Sequence, residues 1–397
     1  MRDKEDHERY VATNPDEIIK LRFERLKSKE ICLNLLDSKK NKTKSNISDE
    51  LLIEKSNGLA SVVDSALGYL NLNCIDLNTK ILSRYYSLMQ FSIAEEVADI
   101  SNTKNLKEIQ KNTEYGHGLA TVNLFQTEEP SLNNIFTFIL QNGHFYHYLR
   151  RMKYSNLENI TCKKRIKPEE ISENLNSIVS LCDLFRRIPE LNEIIEEYVG
   201  KPPLSLRIGY SSKNNQLRSE RMRVTQNFND PFDTKREKNP NTIIDTYIEF
   251  YVNSPSMTVD YLKSLNTPFT DLNEGKDDII EHNNPIGILK HKETNHWYQE
   301  IEIYKSSYSG STYIIPLLNT IEDPIQIHFM LLYTLSIIAR YMPDFWFNLT
   351  KGKHAQISNL IDYYLSIFDH IFPKIMLERI TEKKIHVSLP GSFDAPI

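Results

Sequence analysis

Arg84 and His117 are the two residues whose types and surroundings best fit a reactive site. Arg84 lies near the start of an aromatic-rich segment, Ser83-Arg84-Tyr85-Tyr86, and His117 lies between two glycines. Glycines on both sides allow a ligand or another backbone to approach the histidine closely. Histidine exchanges protons near neutral pH, and an arginine beside it would supply a fixed positive charge. The structural alternative is that His117 donates to a carbonyl at a helix end and that Arg84 pairs with a nearby carboxylate.

A second candidate is a basic segment between residues 213 and 238. It holds seven basic and four acidic residues, with Phe228 and Phe232 among them. We predict a loop that contacts RNA or DNA phosphates, because a local positive patch on an acidic chain steers binding without general adhesion. The alternative is a solvated loop without a partner. The residues predicted to bind nucleic acid are Lys213, Arg218, Arg221, Arg223, Lys235 and Arg236.

Other motifs give no support for a metal or a cofactor, and we predict neither. His144 and His147 are three positions apart and would share a helix face, but no acid or cysteine follows at a spacing suited to zinc. The phosphate-binding glycine loop, HExxH and GxSxG are absent from the sequence. The pair is therefore interpreted as part of an aromatic core.

Hydrophobic spacing predicts mainly helices around these candidates. Apolar residues recur at intervals of three and four over residues 81–100, 325–341 and 356–372, and an aromatic-rich helix is expected over 132–150. After Lys201-Pro202-Pro203 the pattern becomes β-branched and aromatic, which predicts strands over 242–252, 297–304 and 313–318. The expected fold is mainly α, an α+β protein of helical bundle halves with a small antiparallel β insertion. The helical pair within 325–372 should pack on the helix that carries Tyr85 and Tyr86.

Four segments follow from this reading. Residues 1–15 are expected to form a mobile tail, 16–200 a helical region, 201–320 a β-containing region with the basic loop, and 321–397 a helical hairpin that returns to the first helical region.

Composition excludes several classes of protein. The chain has 397 residues and a formal charge of −5, so it lacks a global nucleic-acid footprint. Four widely spaced cysteines do not form a disulfide framework, and the charged N-terminal residues do not resemble a signal peptide. The most apolar stretch, residues 325–339, is shorter than the roughly 20 residues that span a bilayer. We therefore expect a cytoplasmic protein without a membrane partner.

Two stretches resemble the YaaC-like bacterial proteins. The first combines Ser83-Arg84-Tyr85-Tyr86-Ser87-Leu88 with Gly116-His117-Gly118-Leu119, and the second combines a strand ending in YIIPL with the apolar helix that ends at Arg340-Tyr341. Together they cover about residues 50–160 and 310–388. This family has no agreed activity, so the resemblance implies an architecture. We predict a protein that acts by binding within a phage-defence or stress-response system, with a partner protein or a second copy of the chain as further candidate partners.

Residues 81–125 also resemble the HEPN helical domain, many members of which are ribonucleases. These enzymes have four to six residues between an arginine and a histidine, and the resemblance extends this role to Arg379 and His386, with Arg2 and His7 as a second match. Two matches are no enrichment over the number that chance predicts in a chain of this composition. The HEPN resemblance nevertheless gives an alternative function, a metal-independent HEPN-type ribonuclease, with Arg84, His117, Arg379 and His386 as catalytic candidates.

Overall fold

The computed structural model describes most of the chain. The described residues are 6–74, 76–152, 164–214, 241–252, 254–265, 267–274, 284–317, 320–321, 323–388 and 390–391. They divide into two compact units, one made of Met1–Leu181 with His328–Ile397 and the other of Cys182–Ile327. Of the three predicted segment boundaries, those after residues 200 and 320 fall within the second unit.

Helices dominate the described residues, which confirms the mainly α class. In chain order they are α1 (Pro15–Arg25), α2 (Lys29–Thr43), α3 (Asp49–Leu70), α4 (Leu77–Ala98), α5 (Leu106–Glu114), α6 (His144–Met152), α7 (Leu181–Phe185), α8 (Ile195–Val199), α9 (Val259–Ser264), α10 (Pro324–Tyr341), α11 (Pro343–Thr350) and α12 (Gln356–Thr381).

The strands form small sheets. They are β1 (Asp6–Val11), β2 (Leu119–Asn123), β3 (Ile135–Ile139), β4 (Ile178–Ser180), β5 (Leu206–Tyr210), β6 (Ile243–Phe250), β7 (Thr270–Glu274), β8 (Pro285–Lys292), β9 (Tyr304–Lys305), β10 (Thr312–Ile314), β11 (Pro316–Leu317), β12 (Thr320–Ile321) and β13 (Lys383–Ser388).

Local sequence explains where the long helices begin. The side chains of Ser48 and Asp76 accept hydrogen bonds from the backbone N–H of Leu51 and Thr79, at 3.2 and 2.9 Å, and so cap α3 and α4. A glutamate three positions after Asn105 completes a capping box at the start of α5. These caps satisfy N–H groups that the helices leave unpaired.

The core of the first unit is formed by α3, α4, α10 and α12. The ring of Tyr85 lies 5.9 Å from the rings of both Phe329 and Tyr333, and the ring of Phe91 lies 5.5 Å from that of Phe372. The predicted packing of the C-terminal helices on the Tyr85 helix is therefore confirmed. Buried aromatic pairs of this kind stabilise a core beyond the area that they bury.

The second unit contains an antiparallel sheet with strand order β7-β8-β6-β5-β10-β9. One face buries Leu206, Ile208, Ile248, Phe250 and Leu289. This sheet is the predicted β insertion, and β6 confirms the strand expected over 242–252. The first unit has a separate three-stranded sheet, β2-β3-β4, which the sequence analysis missed.

Three local predictions differ from the structure. The expected helix over 132–150 is β3 followed by α6, because Ile135–Ile139 form a largely buried strand between β2 and β4 and Gly143 interrupts the chain with a positive φ of 102°. The expected strand over 297–304 is a 3-10 turn, Trp297–Gln299, followed only by the short β9. Within the expected tail, Asp6–Val11 pair in parallel with β13, which places Arg9 opposite His386.

Among the described helices, none is by itself long and apolar enough to cross a membrane. By length and composition alone, α10 and α11 pass that test as a pair, with a bend of 111° between them.

Candidate functional site

Arg84 is held in an ion pair by the C-terminal helix. Its Nε and Nη2 atoms donate to the two carboxylate oxygens of Asp369, at 2.7 and 2.9 Å, and Nη1 donates to the carbonyls of Tyr69 and Leu72. Such a bidentate pair is a strong, charge-assisted contact. Arg84 therefore pairs with a carboxylate, which is the alternative to a reactive role given above, and its charge is already matched inside the protein.

Tyr85, the next residue of α4, points toward His117. Its ring centroid lies 5.4 Å from that of His117 and 5.9 Å from that of Tyr333. The Tyr85 hydroxyl is buried and has no hydrogen-bond partner among the described residues. Burial raises the pKa of Tyr85 well above its usual value, so this hydroxyl stays protonated.

The two glycines position His117 by bringing its backbone against the first turn of α6. The carbonyl of Gly116 accepts from the N–H of His144 at 3.0 Å, and that of His117 accepts from the N–H of Phe145 at 2.9 Å. Gly118 has a positive φ of 80°, and a Cβ there would lie only 2.7 Å from the nitrogen of Phe145. The predicted close backbone passage is therefore present, and it is made with another part of the protein.

Arg340 supplies a cation whose charge acts on His117. It lies in the last turn of α10, where its Nε donates to the Ser336 carbonyl at 3.0 Å and its guanidinium lies 5.0 Å from the ring centroid of Tyr341. No carboxylate in the described part of the chain forms an ion pair with it. Burial, and after it the charge of Arg340, lower the pKa of His117, so the imidazole is neutral at pH 7.

We call Tyr85, His117, Tyr333 and Arg340 the aromatic–arginine cluster. His117 and Arg340 are partly exposed, whereas the two tyrosines are buried. Burial raises the pKa of Tyr333 to about 12, so both phenols are donors at neutral pH. The cluster therefore combines a permanent positive charge, a neutral imidazole and phenolic donors, which together suit an anionic group.

Arg379 and His386 do not share a helix. Arg379 belongs to the last turn of α12, a left-handed Glu382 (φ 55°) ends that helix, and His386 lies on β13. His386 instead meets His7, whose Nδ1 lies 3.0 Å from the Nε2 of His386. Burial and the neighbouring His7 lower the pKa of His386. Arg2 lies outside the described residues.

Most of the predicted basic loop also lies outside the described residues. Lys213 is described, and its Nζ lies 4.5 Å from the ring centroid of Tyr247 in the second unit. Arg218, Arg221, Arg223, Lys235 and Arg236 fall within 215–240, which the structure does not describe. The nucleic-acid contact through this loop stays a prediction.

His144 and His147 have separate partners. His144 is buried and its Nε2 lies 2.7 Å from the hydroxyl of Ser92, whereas the Nε2 of His147 lies 2.7 Å from the Oδ1 of Asn142. In the part of the chain that the structure describes, no three His, Cys, Asp or Glu residues form a group suited to a metal ion.

Sequence reasoning missed Asp369 and Tyr333. Asp369 shares one face of α12 with Leu365, Phe368 and Phe372 and is the charged residue of that group. A single acid within an apolar helix face is a usable signal of a buried ion pair. Tyr333 lies four positions after Phe329 and seven before Arg340, so helical spacing places all three on one face of α10. These signals became specific only when the structure showed which helices meet.

The described residues form a mainly α, α+β protein whose helical core carries the aromatic–arginine cluster as a candidate site. A family model described as YaaC-like protein matches residues 24–380. The chain therefore belongs to the YaaC-like family, as the two resembling stretches indicate, and the match extends across the β-containing region between them. No curated protein and no solved structure matches the chain.

Proposed function

We propose that this member of the YaaC-like family acts by binding, and that the aromatic–arginine cluster receives an anionic group of the ligand. The observation that carries the proposal is Arg340, a partly exposed guanidinium that has no carboxylate partner in the described residues and whose charge acts on His117. An arginine in this position would bind a carboxylate or phosphate in a directed way.

The neighbouring groups support this role. The imidazole of His117 donates from one nitrogen in its neutral form, and the buried Tyr85 hydroxyl lacks a partner in the described structure. A buried donor without a partner loses the hydrogen bond that it would make in water, so a ligand oxygen that reaches it would recover that loss. Arg84 is unsuited to the same role because Asp369 already occupies it.

A metal-independent ribonuclease is the second candidate, and the same cluster favours it. Cleavage of RNA without a metal needs a proton-transfer group and a cation near the scissile phosphate. His117 and Arg340 supply both types of group, and the His7–His386 pair supplies two further imidazoles.

Incubating the purified chain with tRNA and total RNA in the presence of EDTA separates the two functions. Binding predicts that the RNA is recovered intact with the wild-type protein. Cleavage that disappears in His117→Ala, His386→Ala or His7→Ala would overturn the binding proposal and would identify the histidine responsible.

Titration with inorganic phosphate, followed through the imidazole NMR signals, tests the binding site directly. An anion beside Arg340 favours protonated His117, so the pKa of His117 should rise as phosphate is added. The rise should be lost in Arg340→Gln and kept in Arg150→Gln, in which a different exposed arginine is removed. An unchanged His117 signal in the wild type would exclude this anion site.

The cellular role that we propose is a component of a bacterial phage-defence or stress-response system in the cytoplasm. Contact with RNA or DNA through the basic loop is part of this proposal, with a partner protein or a homodimer as the alternative. Replacing Arg218, Arg221 and Arg223 with glutamine should weaken nucleic-acid binding and flatten its salt dependence. With fewer phosphate contacts, binding by the variant releases fewer counterions. Unaltered binding would exclude the loop.

A further inference from the structure

A groove between β2 and residues 164–168 lies apart from the aromatic–arginine cluster. Its volume is about 400 Å³. Its floor is formed by the buried side chains of Val122, Phe138 and Ile166, which belong to one hydrophobic cluster. Thr121, Asn123 and Gln126 supply polar groups along the same groove.

Three cations line the groove within four positions of the chain. Lys164, Arg165 and Lys167 are all exposed, and none forms an ion pair with a described residue. Like charges so close together repel each other, and an anionic partner would relieve that repulsion. The nearby Glu129 is already paired with Lys353 at 2.5 Å.

β2 is an edge strand of its sheet, since the order is β2-β3-β4. Leu124 N donates to Asn134 O and Leu140 N donates to Gly118 O, at 2.9 and 3.0 Å. With the register Val122↔Phe136, these bonds show that even-numbered residues pair with β3. The backbone N–H and C=O groups of Thr121 and Asn123 therefore face away from β3, on a side where the described residues place no strand, and another strand is able to pair with them there.

We propose that this groove binds an extended acidic peptide segment of a partner protein. The peptide would add a strand to the edge of β2, and its main chain would bond to Thr121 and Asn123. Because side chains alternate along a strand, one set would lie on the apolar floor while the other set brings carboxylates to Lys164, Arg165 and Lys167. A nucleotide would use the cations and the N–H donors but not the edge carbonyls, so the observations favour the peptide.

Fluorescence anisotropy with a labelled hexapeptide of alternating glutamate and valine tests the proposal on the full chain. We expect the peptide to bind and its affinity to fall as salt is added. Each exposed ion pair contributes little alone, so Lys164, Arg165 and Lys167 are changed to glutamine together, and this variant should bind about tenfold more weakly. The matched control changes the exposed Lys20, Lys107 and Lys111 to glutamine and should bind as the wild type does.

The edge contact is tested separately. Thr121→Pro removes the outward N–H without removing a bond to β3 and should weaken peptide binding. If that variant lowers the melting temperature, two peptides give the same test without changing the protein, one methylated on its valine nitrogens and the other on its glutamate nitrogens. Only one of the two sets faces β2, so one of these peptides should bind more weakly than the unmethylated peptide. Equal binding of a lysine–valine peptide, or wild-type binding by the triple variant, would refute the proposal. An oligouridine that binds where the acidic peptide does not would assign the groove to phosphates.

Discussion

Arg84 and Arg340 belong to two helices of the same core, α4 and α10, and differ in the groups that surround their charge. Arg84 is 7% exposed and forms a bidentate ion pair with Asp369, whereas Arg340 is partly exposed and donates within its own helix and stacks on Tyr341. One arginine is satisfied inside the protein and the other keeps donors for a ligand. An arginine near a histidine is therefore a good candidate for a binding site only when no carboxylate of the protein already matches its charge.

The largest expected effect comes from disturbing the helix that carries Arg340. Leu335 is fully buried in α10, so Leu335→Asp would place a charge without a partner in the core. That costs several kcal/mol, and we expect the chain to be unfolded or aggregated at 25 °C. Circular dichroism and size-exclusion chromatography measure this. A folded Leu335→Asp protein would show that α10 does not belong to the core, and the comparison of the two arginines would then fail.

Breaking the Arg84 ion pair should have the next largest effect. Asp369→Asn leaves the Arg84 guanidinium nearly buried without a counter-charge, which should lower the free energy of unfolding by about 3 kcal/mol. Urea denaturation measures the loss. Arg340→Gln is the matched variant, and its loss should stay below about 1 kcal/mol because no ion pair is broken. Equal losses in the two variants would remove the distinction between the arginines.

The sequence predicted the elements better than it predicted their partners. Spacing of apolar residues located α4, α10 and α12 because a helix face needs only local periodicity. The glycines on both sides of His117 predicted a close approach of another backbone there, which is again a local property of the sequence. It could not pair Arg84 with Asp369, 285 residues later in the chain, because that contact depends on which helices pack together. The short strand β3 was missed because five residues that are apolar except for Thr137 fit a helix and a strand equally well.

Two histidines that are more deeply buried than the partly exposed His117 should make the free energy of unfolding sensitive to acid. Burial lowers the pKa of both His144 and His328 to about 3. In the unfolded chain each takes up a proton near its usual pKa of about 6.5, so the free energy of unfolding falls as the pH drops from about 6.5 toward 3. Each histidine contributes up to about 1.4 kcal/mol per pH unit in this window.

His144→Gln should therefore reduce the slope of stability against pH between 6 and 4, even if it lowers stability at pH 7. Urea denaturation over this pH range measures the slope, and His296→Gln, at an exposed position, is the control. A slope unchanged by His144→Gln would contradict the buried, neutral state of this histidine.

The smallest expected effect is a change in the pKa of His117, and it tests the juxtaposition at the centre of the comparison. The charge of Arg340 is the second cause, after burial, of the lowered pKa of His117. Arg340→Gln should therefore raise that pKa toward its usual value without restoring it, because the burial remains. Arg150 provides a matched control, since its charge contributes to the lowered pKa of His147. Arg150→Gln should raise the pKa of His147 and leave that of His117 unchanged. Imidazole NMR signals followed against pH measure both values in each variant. If Arg340→Gln leaves His117 unchanged, Arg340 and His117 do not act on one ligand, and the proposed anion site loses its central pair.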